Sequence, residues 1–174
     1  MRKAALVHLG YYDKCALYTI ELIDKDGKRD NDEFLKFRTR MDDGSRNGRQ
    51  LTEIEAIIDD IVYETGALES RFRSEGCFDA IPSHDEKDRF WDSDGKDHYG
   101  LRLYCKRVNN DILILFNGCS KTDHSPRKCL DCKDHYFLAE DFTNAFLTEL
   151  NVRHTIDING QKLETDEEEI IINF

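Results

Sequence analysis

The segment from Leu101 to Phe116 restricts this chain more than any other. Leu101, Leu103 and Cys105 alternate with Arg102, Tyr104 and Lys106, the period of two that sends successive side chains to opposite faces of a strand. Asn109 and Asn110 supply a turn, and Asp111 to Phe116 then runs on as a buried strand, apolar from Ile112 onward. Together they predict a β-hairpin. One face is aliphatic. The other gathers Arg102, Tyr104 and Lys106, with Arg107 following at the turn and Lys121 just beyond the second strand. Cations and an aromatic ring on one sheet face suit phosphate neutralisation and base stacking. The alternative is an ordinary solvated strand face.

The flanking segments set this hairpin in an α+β context. Leu17 to Ile23 reads as a strand ended by the turn Asp24-Lys25-Asp26-Gly27, whose acids lack the spacing of a calcium-binding EF-hand loop. Asn31 to Met41 predicts a short helix with Phe34, Leu35, Phe37 and Met41 inward. The clearest helix is Leu51 to Thr65, with Leu51, Ile54, Ile57, Ile58, Ile61 and Val62 on one face, a capping box at Thr52 and Glu55, and Gly66 as its stop. Arg71-Phe72-Arg73 and Cys77 to Ile81 read as short strands before a polar excursion, Ser83 to Asp97. Tyr136 to Leu150 is a further helix. A hairpin turning on Asn159-Gly160 and a strand within Glu168 to Phe174 close the chain. The expected fold is α+β: N-terminal helices on a small, mostly antiparallel sheet, followed by a helix and a C-terminal β-hairpin and strand.

A chain of 174 residues that is 39 % hydrophobic can build one core, and two prolines leave no flexible linker. One domain over residues 1–150, with an acidic β extension over 151–174 packed on it, is the economical division. No stretch is apolar enough for a membrane span, and the start lacks a signal-peptide pattern, so no membrane partner and a cytoplasmic location are expected. Net charge is −11, but from Glu140 onward nine acids face two bases, whereas His98 to Tyr136 holds seven bases and four acids. The asymmetry suggests that the acidic strand Glu167 to Phe174 docks on the basic face.

A Cys/His-rich loop follows the hairpin. Cys119, His124, Cys129, Cys132 and His135 lie within a short span, and Cys129 and Cys132 have the two-residue gap of a zinc knuckle. Cys119, His124, Cys129 and Cys132 are therefore candidate ligands for a structural zinc. The other reading leaves Cys119 as a turn residue and the remaining thiols free in a surface loop. All six cysteines are expected as thiols or ligands rather than disulfides. His124 and His135 are candidate proton-transfer groups beside the basic hairpin, and Arg127 and Lys128 extend its positive charge.

The run Leu101 to Val108, then Ile112-Leu-Ile-Leu-Phe-Asn-Gly118, then Lys121-Thr122 and Pro126 before a helix, resembles the RelE/ParE superfamily of toxin–antitoxin toxins, in particular HigB-like members of phage and plasmid type. The resemblance covers Leu101 to Pro126 and makes residues 1–150 the RelE/ParE-like domain. It implies a ribosome-dependent mRNA endoribonuclease that needs no metal or other cofactor, or a gyrase-poisoning relative. It also implies that Arg102 or Arg107, with Lys121, stabilises the phosphate, that Tyr104 stacks or assists proton transfer, and that His135 acts as acid or base. Lys106, Arg127 and Lys128 would hold nucleic acid. The implied partners are a cognate antitoxin and the mRNA–ribosome complex, with a homodimer as the expected self-assembly. A non-catalytic protein- or nucleic-acid-binding module on the same scaffold, zinc-stabilised or not, is the alternative.

Overall fold

The computed structural model describes residues 1–44, 46–86, 100–123 and 125–174. Its first element is a strand absent from the sequence reading: β1 (Lys3–Gly10) pairs antiparallel with β2 (Ala16–Ile23). His8 breaks the apolar run of β1, yet its ring fits there between those of Tyr11 and Tyr18, 3.8 and 5.0 Å away. Helices α1 (Glu33–Met41) and α2 (Arg46–Asp60) follow. Short strands β3 (Arg73–Ser74) and β4 (Asp79–Ile81) precede the long hairpin of β5 (Leu101–Asn109) and β6 (Ile112–Ser120). Helix α3 (Lys133–Thr148), the small hairpin β7 (Asp157–Asn159) and β8 (Lys162–Glu164), and β9 (Ile171–Asn173) complete the order.

The class is the expected α+β with a mostly antiparallel sheet. The order and size differ: a hairpin precedes the helices, and the main sheet has seven strands, ordered β3-β4-β5-β6-β2-β1-β9. Its β2–β6 pairing is parallel, Ala16 opposite Ile112 and Tyr18 opposite Ile114. The sheet is covered on both faces. Helices α1 and α2 bury Phe37, Met41, Leu51, Ile54, Ile57 and Ile61 against Leu101, Leu103, Cys105, Leu113 and Leu115. Helix α3 buries Tyr136, Ala139, Phe142 and Phe146 against Ile20, Tyr104, Ile114 and Phe116. Each large side chain so buried contributes about 1.5–3 kcal/mol, which explains why residues with both phases of the β5 alternation lie inside.

Local chemistry adjusts the expected boundaries. Asp32 caps α1, its carboxylate accepting the Leu35 N–H at 2.8 Å. Leu35, expected inward, is exposed, and Glu33 is buried instead. Because α2 already starts at Arg46, Thr52 is an interior residue whose hydroxyl donates to the Gly48 carbonyl at 3.2 Å rather than a cap. The helix loosens into a π turn, Ile61–Thr65, and stops at Gly66 with φ 75°. The β5–β6 and β7–β8 turns each sit one residue later than the sequence suggests, since Asn109 pairs with Ile112 and Asn159 with Lys162. Strand β9 pairs with β1 at the sheet edge opposite β3, β4 and β5. The acidic C-terminal strand therefore does not dock on the basic face, correcting that expectation. Among the described residues no helix is long and apolar enough to cross a membrane.

Candidate functional site

Strand alternation brings a group of cations together at the β3–β5 edge. Phe72 packs on the α1–α2 side, so the next residue, Arg73, faces α3. Arg73 pairs with Ala80, and Ala80 with Tyr104, which places Arg73 on the same face as Tyr104 and, two residues back along β5, Arg102. Arg102 pairs in turn with Cys119 near the end of β6. Lys121 follows that end, its N–H donating to the Gly100 carbonyl at 3.0 Å. Between β3 and β4 the chain turns through Glu75 and Gly76, the latter at φ 98°. The Tyr136 hydroxyl of α3 donates to the Glu75 carbonyl at 3.2 Å and holds this turn over the group.

The electrostatics of this group are unusual for a packed sheet. Arg102 is 5 % exposed and Arg73 9 %, yet the Nε of each lacks a hydrogen-bond partner, and neither has a salt bridge among the described residues. Arg102 does donate from Nη1 to the Leu101 carbonyl at 2.8 Å. Burial, and then the charge of Arg73, pull the Arg102 pKa down to about 10, so it stays cationic at neutral pH. Burial and the two arginines likewise lower Lys121. Glu75 is the carboxyl set among them. Burial raises its pKa, and the pull of Arg73, Lys121 and Arg102 does not outweigh that. Buried charges are ordinarily paired. Here two guanidiniums and an ammonium crowd one reluctant carboxyl, an arrangement complementary to a bound anion such as a phosphate. Glu75 and Lys121 are only half-buried and give the group its access to solvent.

The residues singled out from sequence divide accordingly. Arg102 and Lys121 belong to this group. Tyr104 lies on its floor but is fully buried, edge-on to Phe78 and Tyr136 with centroids at 5.5 and 5.8 Å, its hydroxyl 3.5 Å from Cys119 Sγ. Burial also raises its pKa. No face of this ring is open to a base, which corrects the stacking role. Arg107 is separated from Arg102, since its Nε donates to Ala67 O at 2.6 Å and its Nη2 to Asn110 Oδ1 at 2.7 Å, tying down the end of α2. Lys106 is engaged by the Cys77 carbonyl at 2.9 Å. Arg127 lies over the Tyr136 ring at 5.1 Å and pairs with Glu140 at 2.7 Å, on the rim of the group, and Lys128 is exposed beyond it. His135 has other surroundings. Burial, then Arg40, lower its pKa, and its remaining charged neighbours are Glu33, Asp131 and Asp134. That places it with the α1–β6 network, where Arg40 contacts Asp131 at 2.9 Å and Asn117 at 3.0 Å. His98 and His124 lie outside the described residues.

The cysteine loop departs from the zinc expectation. Cys119 and Cys132 form a disulfide, so neither offers a thiolate to a metal in this state, and the expectation of six unlinked cysteines is corrected. Among the described residues no group of three or more His, Cys, Asp or Glu side chains is gathered as a metal site. Cys129 stays a thiol. Burial pushes its pKa up, but hydrogen bonds from the Thr122 hydroxyl and from the N–H groups of Thr122, Cys132 and Asp131 outweigh this, and the net shift is downward.

Sequence reasoning missed Arg73 and Glu75. The phase of Phe72 assigns Arg73 a face, but only the pairing of two- and three-residue strands brings it beside Arg102. Comparisons with protein-family models, with curated proteins and with solved structures find no match, and the functional reading rests on this geometry.

Proposed function

We propose that the chain is a RelE/HigB-like toxin that cleaves mRNA as a metal-independent endoribonuclease and so inhibits translation. The reading is supported by the convergence of Arg73, Arg102 and Lys121 on Glu75 at one edge of the sheet. RNA cleavage through the 2′-hydroxyl needs a group to take that proton and positive charge to stabilise the phosphorane that forms. Glu75, its pKa raised above the ordinary carboxylate value by burial, takes the proton in its carboxylate form and returns it to the leaving 5′-oxygen. The cations hold the non-bridging oxygens. This chemistry requires no cofactor. Helix α3 follows Lys121-Thr122, as the resemblance implies, whereas β1 and β2 stand ahead of α1 and α2. An antitoxin that covers this edge, and the mRNA–ribosome complex as substrate, are the partners of this reading.

The test is expression with and without substitutions, scored by growth and by mapping of mRNA 5′ ends. Glu75→Gln, folded by circular dichroism, is expected to lower cleavage by roughly 10²–10⁴-fold while leaving RNA binding in place. Cleavage at the wild-type rate would remove Glu75 from the mechanism. Loss of arrest with no cleavage detectable in wild-type protein would favour a module that binds RNA without cutting it.

A further inference from the structure

Three of the six cysteines meet where β6 passes into α3, and the proposed nuclease chemistry uses none of them. Cys119 and Cys132 are bonded to one another. Cys129 packs in the same buried cluster, its sulfur 3.4 Å from the Thr122 hydroxyl. The chain reverses tightly there: the Cys132 and Lys133 N–H groups both donate to the Cys129 carbonyl, at 3.2 and 2.9 Å. A third sulfur is thus held beside one end of a disulfide, separated from it by only Leu130 and Asp131. Two-residue spacing before a helix is one that can itself close a disulfide.

We infer that this loop is a thiol–disulfide interchange site, in which Cys129 and Cys119 compete for Cys132. The Cys129 sulfur attacks Cys132 Sγ, the Cys129–Cys132 bond forms, and the Cys119–Cys132 bond breaks with its electron pair left on Cys119. The proton lost by Cys129 is taken up by Cys119, so one disulfide and one thiol are present before and after. No outside oxidant or reductant is consumed. Both ends of the exchange have hydrogen-bonding support. Thr122 Oγ1 lies 3.4 Å from Cys129 Sγ, and the thiol points to the Ser120 carbonyl at 3.8 Å. The departing Cys119 sulfur lies 3.5 Å from the Tyr104 hydroxyl. A thiolate leaves faster when such a donor stabilises it.

The exchange has a structural consequence. In one form the disulfide ties the end of β6, at the register partner of Arg102, to the start of α3. In the other it closes a small loop on the helix side alone, and β6 is released from α3. Cys129 is 2 % exposed, so the step is intramolecular and shielded from external thiols. The proposal stands independently of the nuclease reading.

Peptide mapping tests it on the full chain, oxidised with diamide, freed of the reagent and incubated without oxygen at pH 8. Samples are quenched in acid, denatured, alkylated with N-ethylmaleimide and cut with trypsin and with a protease that cleaves before Asp131, which separates Cys129 from Cys132. Both the Cys119–Cys132 and Cys129–Cys132 peptides are expected, with alkylation divided between Cys129 and Cys119. Cys129→Ser should show the first linkage alone and Cys119→Ser the second. Tyr104→Phe should slow the approach to the final ratio by about tenfold, the worth of one hydrogen bond to a developing thiolate. Alkylation confined to Cys129 in wild-type protein, or failure of oxidised Cys119→Ser to join Cys129 to Cys132, overturns the proposal. So does a chain that forms neither link.

Discussion

Arg102 is anchored to its own strand by the Leu101 carbonyl and is otherwise set among apolar side chains, the like charge of Arg73 and the single carboxyl of Glu75, whose pull does not offset its burial. A cation kept there costs stability that methionine, similar in length and uncharged, would restore. Arg102→Met is therefore expected to stabilise the fold by roughly 1–3 kcal/mol, or about 2–4 °C of Tm per kcal/mol, while weakening RNA binding. Thermal melts and filter binding on one preparation check both. A lower Tm would mean that the guanidinium is better paired than its surroundings indicate. Glu75 gives a pH signature. Its raised pKa means that the folded chain holds this proton more tightly than the unfolded chain. That contribution is full below the unfolded value near 4.5 and is lost as pH rises through the folded value. The stability of Glu75→Gln relative to wild type should therefore grow as pH rises through that window, and denaturant melts at several pH values measure it. Arg102 and Lys121 were legible in the sequence because a long alternating strand displays its phase. Arg73 sits on a strand too short to do so, and Glu75 lies in the turn that follows it.

At the level of elements, β6 is fitted most tightly to its neighbours at Gly118. A Cβ there would come within 2.0 Å of the Arg102 carbonyl oxygen and 2.7 Å of a Phe37 ring carbon, and Arg40 also donates to the Gly118 carbonyl. The register slips beside this point, with Leu103 opposite Gly118 but Cys105 opposite Leu115. Such a bulge turns Asn117 toward α1, where it donates to the buried Glu33 carboxylate at 2.8 Å. Gly118→Ala must push β5 and β6 apart or displace α1. A loss of roughly 3 kcal/mol is expected from overpacking of this kind, together with weaker RNA binding because the strand carrying Arg102 moves. A chemical denaturation curve unchanged from wild type would contradict this. The helices were the most legible elements: all six aliphatic residues assigned to one face of the Leu51 to Thr65 helix are buried together. Strand β1 was not, because His8 interrupts its apolar run and its other supports, β2 and β9, lie elsewhere in the chain.

For the whole molecule, the arrangement of charge matters more than its sum. The acidic C-terminal strand is at the far edge of the sheet from the Arg73 and Arg102 edge, so the net charge of −11 does not neutralise the cations locally. Binding to single-stranded RNA through these three cations should fall with salt at a log–log slope of about −2, and Arg102→Met should reduce its magnitude by about 0.7. A salt-independent affinity would argue against phosphate contacts. Arg107→Ala, by contrast, should leave the slope unchanged, because that side chain is committed to Ala67 and Asn110.

The parallel pairing of β2 with β6 also dictates how the chain can assemble. The hairpins β1–β2 and β5–β6 each close locally, whereas Ala16 and Ile112 can meet only after the intervening helices and short strands have been looped out of the way. Closure over that distance is the slow kind of contact. Each half-sheet would wait as a separate hairpin, with one edge still open to the wrong partner, until this seam forms. Shortening Ile114 to alanine at the seam should therefore slow refolding in stopped-flow measurements more than it speeds unfolding, and prolong the interval in which freshly made chains stick to one another.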